Sequence, residues 1–384
     1  MSPRINGLRP MTAKPTLTII QSTHASLDGA KSVGLLDRQR RVLQAYRATF
    51  DVVIYSADTA NYSEILGVEH RPVPWLPRVP GLRHLAFYLW LVLQAPKMRG
   101  LIKVVGSNIP TLPLVKSLAH RPMLVGYSYD YASQTQLGTH NPIQWLLAPW
   151  MERLALSPAD LVLVSAEWLG QKVRSVYHKP TLLLPNWVDV PDFGGALQER
   201  DHWLIVFAGR LHWTKGANRL IEAFAPVKRQ FPTARLVICG HGEQMAALRA
   251  QVAELDLADV ELRGPVPHPE VLRLMGRAGI FVLPTLTMEG HPKALIEAMA
   301  SGAAIVATDV PGNRDDIHSG SNGLLVPPDD AAALAAAMGR LLADDALCAA
   351  LGRQAALDAQ QYAFGPIVRR EVEALLAYPA PAGS

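Results

Sequence analysis

The sequence predicts an α/β fold of two domains, each built on a parallel sheet. Three observations carry this expectation. Short apolar, β-rich runs alternate with helix-length stretches along most of the chain, the pattern of repeated β–α–β units. The alternation breaks once, between about residues 185 and 201, where a polar, Gly-containing stretch reads as a linker. With 384 residues, 49% of them hydrophobic, the chain has material for two cores of ordinary size.

In the first half, residues 16–20 and 51–55 read as strands, with a helix over 34–49 between them. Residues 72–80 hold Pro72, Pro74, Pro77 and Pro80, so an irregular loop is expected there. Further strands are expected at 101–105, 123–126, 161–165 and 181–184, with a helix over 167–176. The linker opens at Pro185-Asn186-Trp187-Val188-Asp189. The second half alternates more cleanly. Strands are expected at 203–208, 235–239, 260–262, 280–283, 304–307 and 324–326. Helices are expected at 217–230, 243–255, 270–277, 293–300 and 331–342, and a last amphipathic helix at 367–378. No short-period repeat interrupts this; the halves look like two similar domains.

Bulk properties narrow the setting. Cys239 and Cys348 are the only cysteines, so no disulfide framework is implied and a reducing, cytoplasmic compartment is expected. The apolar run 17–20, broken by Thr18, is too short for a signal-peptide core. The longest apolar run, 85–93, falls well below the ~20 residues that a membrane-crossing helix needs. Residues 1–190 hold 20 Lys/Arg against 11 Asp/Glu, while the rest holds 17 against 22. A basic first half suggests an anionic partner for it. No zinc spacing or aromatic RNA-binding motif accompanies the scattered cations, which argues against nucleic acid. Arg83, Lys97 and Arg99 flank the run 85–93, so peripheral attachment to an anionic membrane surface is one expectation; simple packing of that helix on its sheet is the other.

The richest stretch runs from Glu289 to Gly302. It follows an apolar strand and opens a helix, with Pro292 suited to the first helical position. Gly290 and His291 lead into it. The backbone N–H groups of Lys293 and Ala294 then lie at a helix N-terminus, where the dipole favours an anion such as diphosphate. Glu297, about one turn further in, suits a pair of ribose hydroxyls, and Glu289 suits a sugar. Together these describe a nucleotide-sugar. A second loop, Gly209-Arg210-Leu211-His212-Trp213-Thr214-Lys215-Gly216, also joins a strand to a helix, and carries two cations suited to a departing diphosphate. Gly240-His241-Gly242-Glu243 follows the next strand, where Gly lets backbone approach a ligand closely.

The spacing Glu289, seven residues, Glu297, then Ala298-Met299-Ala300 and Gly302, resembles the signature of the family 4 retaining glycosyltransferases. The resemblance implies the GT-B fold, two Rossmann-like parallel-sheet domains facing across a cleft: 1–190 on the acceptor side, 191–365 holding the donor, and 366–384 a helix and tail that crosses back to the first domain. It implies transfer of a sugar from a nucleoside diphosphate sugar to a glycan or lipid-linked acceptor in envelope or exopolysaccharide synthesis. Neither a cofactor nor a metal is expected. Arg210, Lys215 and Glu289 become the catalytic set. Gly209, Gly240, Gly242, Gly290, His291, Pro292, Lys293, Ala294 and Glu297 become donor contacts, with the backbone N–H of His291 expected to matter more than its ring. In the first domain, Asp28-Gly29-Ala30 resembles the family's Gly-Gly loop, placing Gly29 against the substrate. Tyr129-Asp130 stands where the family often has His-Asp, so a phenol replaces the imidazole. Trp187 stands where the family commonly has Gly. His24, His140 and His178 show no ligand spacing. Two other readings stay open: an epimerase or another enzyme of the same fold, and a non-catalytic nucleotide-sugar-binding protein, favoured by Tyr129.

Overall fold

The structure is a computed structural model, which describes residues 14–22, 27–32, 36–75, 80–138, 141–189 and 200–378. The expectations for His24, Pro77, His140 and most of the linker lie outside the described residues. The described chain forms two compact units. Unit 1 takes the residues up to Leu163, Val173–Leu182 and those from Arg370 onward; unit 2 takes Val164–Lys172 and Leu183–Arg369.

Unit 1 is a seven-stranded sheet: β1 (Thr16–Gln21), β2 (Asp51–Ser56), β3 (Glu69–Pro72), β4 (Leu101–Val105), β5 (Met123–Tyr127), β6 (Leu161–Val164) and β7 (Thr181–Leu183). Their order is β3-β2-β1-β4-β5-β6-β7. Ile19 of β1 lies opposite both Ile54 and Lys103, in parallel register. The chain winds one way from β1 to β3, then returns past β1 to wind the other way, so the order reverses between β1 and β4. The helices are α1 (Leu27–Ser32), α2 (Leu36–Thr49), α3 (Ser63–Leu66), α4 (Pro80–Gln94), α5 (Leu112–Ala119), α6 (Tyr131–Gly138) and α7 (Pro142–Leu156).

Several of these depart from the sequence expectation. Strand β3 reads Glu-His-Arg-Pro and carries no apolar run; it is an edge strand, where a proline is tolerated because one side of its backbone has no partner. The Asp28–Ser32 segment is helical and not a loop: Asp58 Oδ1 accepts from the first-turn N–H of Asp28 at 2.9 Å, while the Asp28 carboxylate accepts from Thr59 N–H at 2.8 Å and Tyr62 O–H at 2.7 Å. Pro80 opens α4 instead of lying in the loop, as its fixed φ allows at a helix start.

Unit 2 begins with α8 (Glu167–Lys172) and has six strands: β8 (Asp201–Ala208), β9 (Arg235–Cys239), β10 (Val260–Gly264), β11 (Ala278–Leu283), β12 (Ala304–Thr308) and β13 (Leu324–Val326). Their order is β10-β9-β8-β11-β12-β13. Every residue of β11 and β12 is buried, as expected of central parallel strands covered on both faces. The covering helices are α9 (Ala217–Gln230), α10 (Met245–Glu254), α11 (His268–Arg277), α12 (Lys293–Ser301), α13 (Ala331–Ala343), α14 (Asp345–Ala359) and α15 (Phe364–Ala377). Asp330 and Asp344 cap α13 and α14 by accepting from Ala333 and Leu347 N–H. Helix α15 starts in unit 2, and its residues from Arg370 onward group with unit 1. Trp187 packs edge-on against Phe364, with ring centroids 4.7 Å apart. The neighbouring Val188 exchanges backbone hydrogen bonds with Tyr362 and Phe364. The large ring is therefore accommodated by packing where a glycine would leave a gap.

Candidate active site

In a doubly wound sheet, ligands bind beyond the carboxyl ends of the strands where the strand order reverses. In unit 2 that point lies between β8 and β11. The two loops singled out in the sequence are the ones that leave these two strands.

The loop after β8 is fixed by its neighbours. Gly209 and Leu211 donate backbone hydrogen bonds to Cys239 and His241, and Gln244 donates back to Leu211. A Cβ at Gly240 would come within 1.8 Å of the Gly209 carbonyl, so this crossing of two loops requires glycine. A Cβ at Gly242 would likewise meet the Leu211 carbonyl at 2.3 Å. His212 caps a short 3₁₀ turn, Trp213–Lys215, its Nδ1 accepting from Thr214 N–H. Gly216 follows at φ 68, with the Pro284 carbonyl 2.0 Å from where a Cβ would stand. Arg210 projects exposed and makes no ion pair among the described residues.

The turn delivers Lys215 to the second loop. Its Nζ donates to Glu289 Oε1, an oxygen that also accepts from Thr285 O–H at 3.0 Å. Both charged side chains are mostly buried. Glu289 lies six residues beyond β11, not at the strand end, and its backbone is pinned on both sides. Its N–H donates to Pro311 O at 2.9 Å, and its C=O accepts from Trp168 Nε1 at 2.7 Å. Gly312 leaves room for it: a Cβ there would meet the Glu289 carbonyl at 2.4 Å.

Pro292 is the N-cap of α12, one position earlier than expected, with extended backbone. It offers no side-chain acceptor, so its own side chain caps none of the first amides of α12. Glu297, one turn in, is buried, and its Oε1 accepts from His268 Nε2 at 3.0 Å. His268 opens α11, and sequence spacing gave no reason to connect it with Glu297.

His291 corrects the expectation that its ring matters little. The ring is buried, and Nδ1 accepts from Asn186 N–H at 2.9 Å. That leaves the proton on Nε2, which donates to Asp316 Oδ1 at 3.3 Å. Tyr362 O–H donates to the same oxygen at 2.5 Å, and burial together with Asp316 pushes the Tyr362 phenol far above its usual range. The ring thus pins the signature to the segment after β7 and, through Asp316, to Tyr362 in the turn before α15. Among the described residues, no group of three or more acidic, His or Cys side chains is placed to hold a metal ion.

Unit 1 has its own reversal point, between β1 and β4. Gly29 lies in α1, the helix that follows β1 in the chain. After β4, Gly106 adopts φ 100, and buried Ser107 Oγ, Asn108 Oδ1 and Thr111 Oγ1 have no hydrogen-bond partner; nor does Gln21 Oε1 of β1. Polar, loosely satisfied and without a recognisable spacing, these residues were not found from the sequence. Asp130 has a local use: as N-cap of α6 it accepts from Ser133 N–H at 3.0 Å and Ser133 O–H at 2.8 Å. Tyr129 stands edge-on to Tyr131, with ring centroids 6.5 Å apart.

With this geometry in hand, the comparisons fall into place. Residues 194–358 match the family Glycosyl transferases group 1. The match covers the loops after β8, β9 and β11 and helix α12, all in unit 2. The chain is 33% identical over 272 residues, 70% of its length, to an exopolysaccharide phosphotransferase of Streptomyces coelicolor, of which it spans 27%. It is 29% identical over 248 residues to the phosphatidyl-myo-inositol mannosyltransferase of Mycolicibacterium smegmatis, covering 62% of this chain and 61% of that protein. The solved structure of Alr3699/HepE from Anabaena, in complex with UDP, superposes over 94% of this chain and 100% of its own, with a TM-score of 0.74 at 18% identity. The fold is GT-B: two parallel-sheet α/β domains.

Proposed function

We propose that this chain is a retaining glycosyltransferase that moves a sugar from a nucleoside diphosphate sugar to a hydroxyl of a glycan or lipid-linked glycan, in the synthesis of envelope or exported polysaccharide. One observation carries the reading: the Lys215–Glu289 pair stands at the reversal point of unit 2, in the segment that leads into the N-terminus of α12. The names of the relatives, an exopolysaccharide enzyme and a mannosyltransferase acting on a phosphatidylinositol, support the substrate classes. The UDP held by the Anabaena protein supports a nucleoside diphosphate on this fold.

On this reading the departing diphosphate meets Arg210, Lys215 and the first amides of α12, which stabilise negative charge as the glycosidic bond breaks. Lys215 has three donors, so it can keep Glu289 and still contact a phosphate oxygen. Glu289, neutralised by Lys215 and hydrogen-bonded by Thr285, accepts from a sugar hydroxyl and orients the ring. It is a binding group and not a nucleophile, and the acceptor attacks from the face the diphosphate leaves. Glu297, held by His268, accepts from ribose hydroxyls. No step calls for a metal; cations and amides carry the charge.

A donor screen tests this. Purified protein is given UDP-, GDP- and ADP-sugars, with and without glycan or polyprenyl-linked acceptors, and release of nucleoside diphosphate is followed. Acceptor-dependent release with an α-linked product from an α-linked donor is expected. A free epimerised nucleotide-sugar, or binding without release, would replace the reading with one of the two alternatives.

A further inference from the structure

The outer faces of three helices in unit 1 reverse the usual distribution of side chains. Helix α7 turns Ala148, Glu152 and Ala155 inward. Its large apolar residues Ile143, Leu146, Leu147, Trp150 and Leu154 are exposed, Trp150 by 65%. They recur at the 3–4-residue spacing of one helix face. Helix α4 buries Phe87 and Leu91 but exposes Leu82, Leu85, Leu89 and Leu93, again one stripe, with Leu93 at 72%. Between them α5 adds Leu114 and Leu118. These helices lie side by side: α5 packs against both α4 and α7. Each precedes one of the successive parallel strands β4, β5 and β6, so right-handed crossovers put all three on one face of the sheet. The apolar stripes therefore belong to one layer. A contiguous patch of this kind marks an interaction surface.

Charge decides what covers it. From Pro80 to Leu156 the chain has seven Lys/Arg and only two carboxylates, Asp130 and Glu152. Both carboxylates are buried. Glu152 is turned inward, where its oxygens accept from Ala132 N–H and Tyr177 O–H. No carboxylate on this stretch is left on the surface, whereas Lys97, Arg99 and Arg153 are exposed next to the apolar stripes. An apolar face whose helices carry cations and no exposed acid of their own, with an indole on the α7 stripe, matches an anionic bilayer interface. A second copy of the chain would bring the same cations against each other.

We propose that the α4–α5–α7 face of unit 1 docks on an anionic lipid bilayer. The apolar stripes enter the headgroup–acyl boundary, and Lys97, Arg99 and Arg153 contact lipid phosphates. None of the helices is long and apolar enough to cross a membrane, so the attachment lies in the plane of the interface. The face is independent of the donor site; the transferase reading enters only in making a lipid-linked acceptor a reason for it.

Flotation of the full-length protein with phosphatidylcholine vesicles, with and without phosphatidylglycerol, tests the proposal. Binding is expected to anionic vesicles at low salt, to weaken in molar salt, and to shift tryptophan emission to the blue. Leu146→Glu with Trp150→Glu should lower partitioning by about tenfold or more, and Lys97→Glu or Arg153→Glu by about fivefold each. Melting temperature and calorimetric affinity for nucleoside diphosphate should stay at wild-type values, since these positions are exposed and lie outside unit 2. Retained affinity with lost flotation separates this proposal from the transferase reading. Absence of flotation on anionic vesicles overturns it. So does an apolar double variant that floats like wild type, or a wild-type dimer that this variant dissolves without any lipid binding.

Discussion

Lys215 shows how much one side chain is asked to do. It neutralises Glu289 in a mostly buried setting, and the proposed reaction also gives it a phosphate. Lys215→Ala should lower turnover by roughly 10²–10³. It should also cost about 1–3 kcal/mol of stability, because Glu289 is left with Thr285 alone. The two losses separate in the double variant Lys215→Ala with Glu289→Gln: urea unfolding should recover most of the stability while turnover stays low. Full turnover in the single variant would remove Lys215 from the chemistry. Glu297→Gln keeps the shape and removes the charge that faces His268; weaker calorimetric binding of nucleoside diphosphate is expected, and unchanged affinity would return Glu297 to a structural role beside His268. The two thiols make a different prediction. Burial pushes both Cys239 and Cys348 up to about 11. In the native protein they should ignore a thiol reagent at pH 8 and react once guanidinium unfolds the chain. Because the folded values are raised, this stabilisation is complete below about pH 9, where the unfolded thiols are protonated, and is lost as pH rises from there through about 11. Urea midpoints across that range, compared with a Cys→Ala pair, check the sign.

At the scale of elements, unit 2 was legible because its strands are continuous apolar runs and its loops carry chemistry with recognisable spacing. Strands β9 and β13 and helix α9 coincide with the ranges expected from sequence. Unit 1 was harder. Strand β3 has no apolar run, and α7, with most of its large apolar residues outward and Ala148, Glu152, Ala155 and Leu156 inward, presents a pattern that reads neither as a buried helix nor as a usual surface one. The partners of the site were hidden for another reason. His268 reaches Glu297 across 29 residues, and Asn186 reaches His291 across 105. No local periodicity encodes such pairings; only the strand order does. The same order explains why glycines occur where loops cross. Gly240→Ala would drive a Cβ into the Gly209 carbonyl, so the loop bearing Arg210 must move. The expected result is a loss of nucleotide affinity with secondary structure kept, read by calorimetry and far-UV circular dichroism. Wild-type affinity in this variant would mean the crossing tolerates a shift and does not position the site.

For the whole molecule, the end of the chain is tied into the unit where the chain begins. Glu371 of α15 pairs with Lys103 of β4 at 2.5 Å, and Lys103 also donates to Tyr46 O–H of α2 at 2.6 Å. Only 12% of the Lys103 side chain is exposed. Burial and the adjoining Glu371 raise the Tyr46 phenol well above its usual range, so the hydroxyl stays neutral and the lysine depends on Glu371 for its counter-charge. Glu371→Ala would leave that ammonium poorly solvated, at a cost of about 1–3 kcal/mol. All three groups belong to unit 1. A chain of two units need not unfold in one step, and a ligand that binds only the native form of one unit raises that unit's transition, by about 2.7 kcal/mol at a hundredfold excess over Kd. Nucleoside diphosphate should therefore label the transition of unit 2 in a calorimetric scan. Glu371→Ala should lower the other transition, by roughly 2–4 °C for each kcal/mol lost, and leave nucleotide affinity unchanged. A fall in the ligand-sensitive transition alone would mean that α15 stabilises unit 2, and that its pairing with Lys103 contributes little to unit 1.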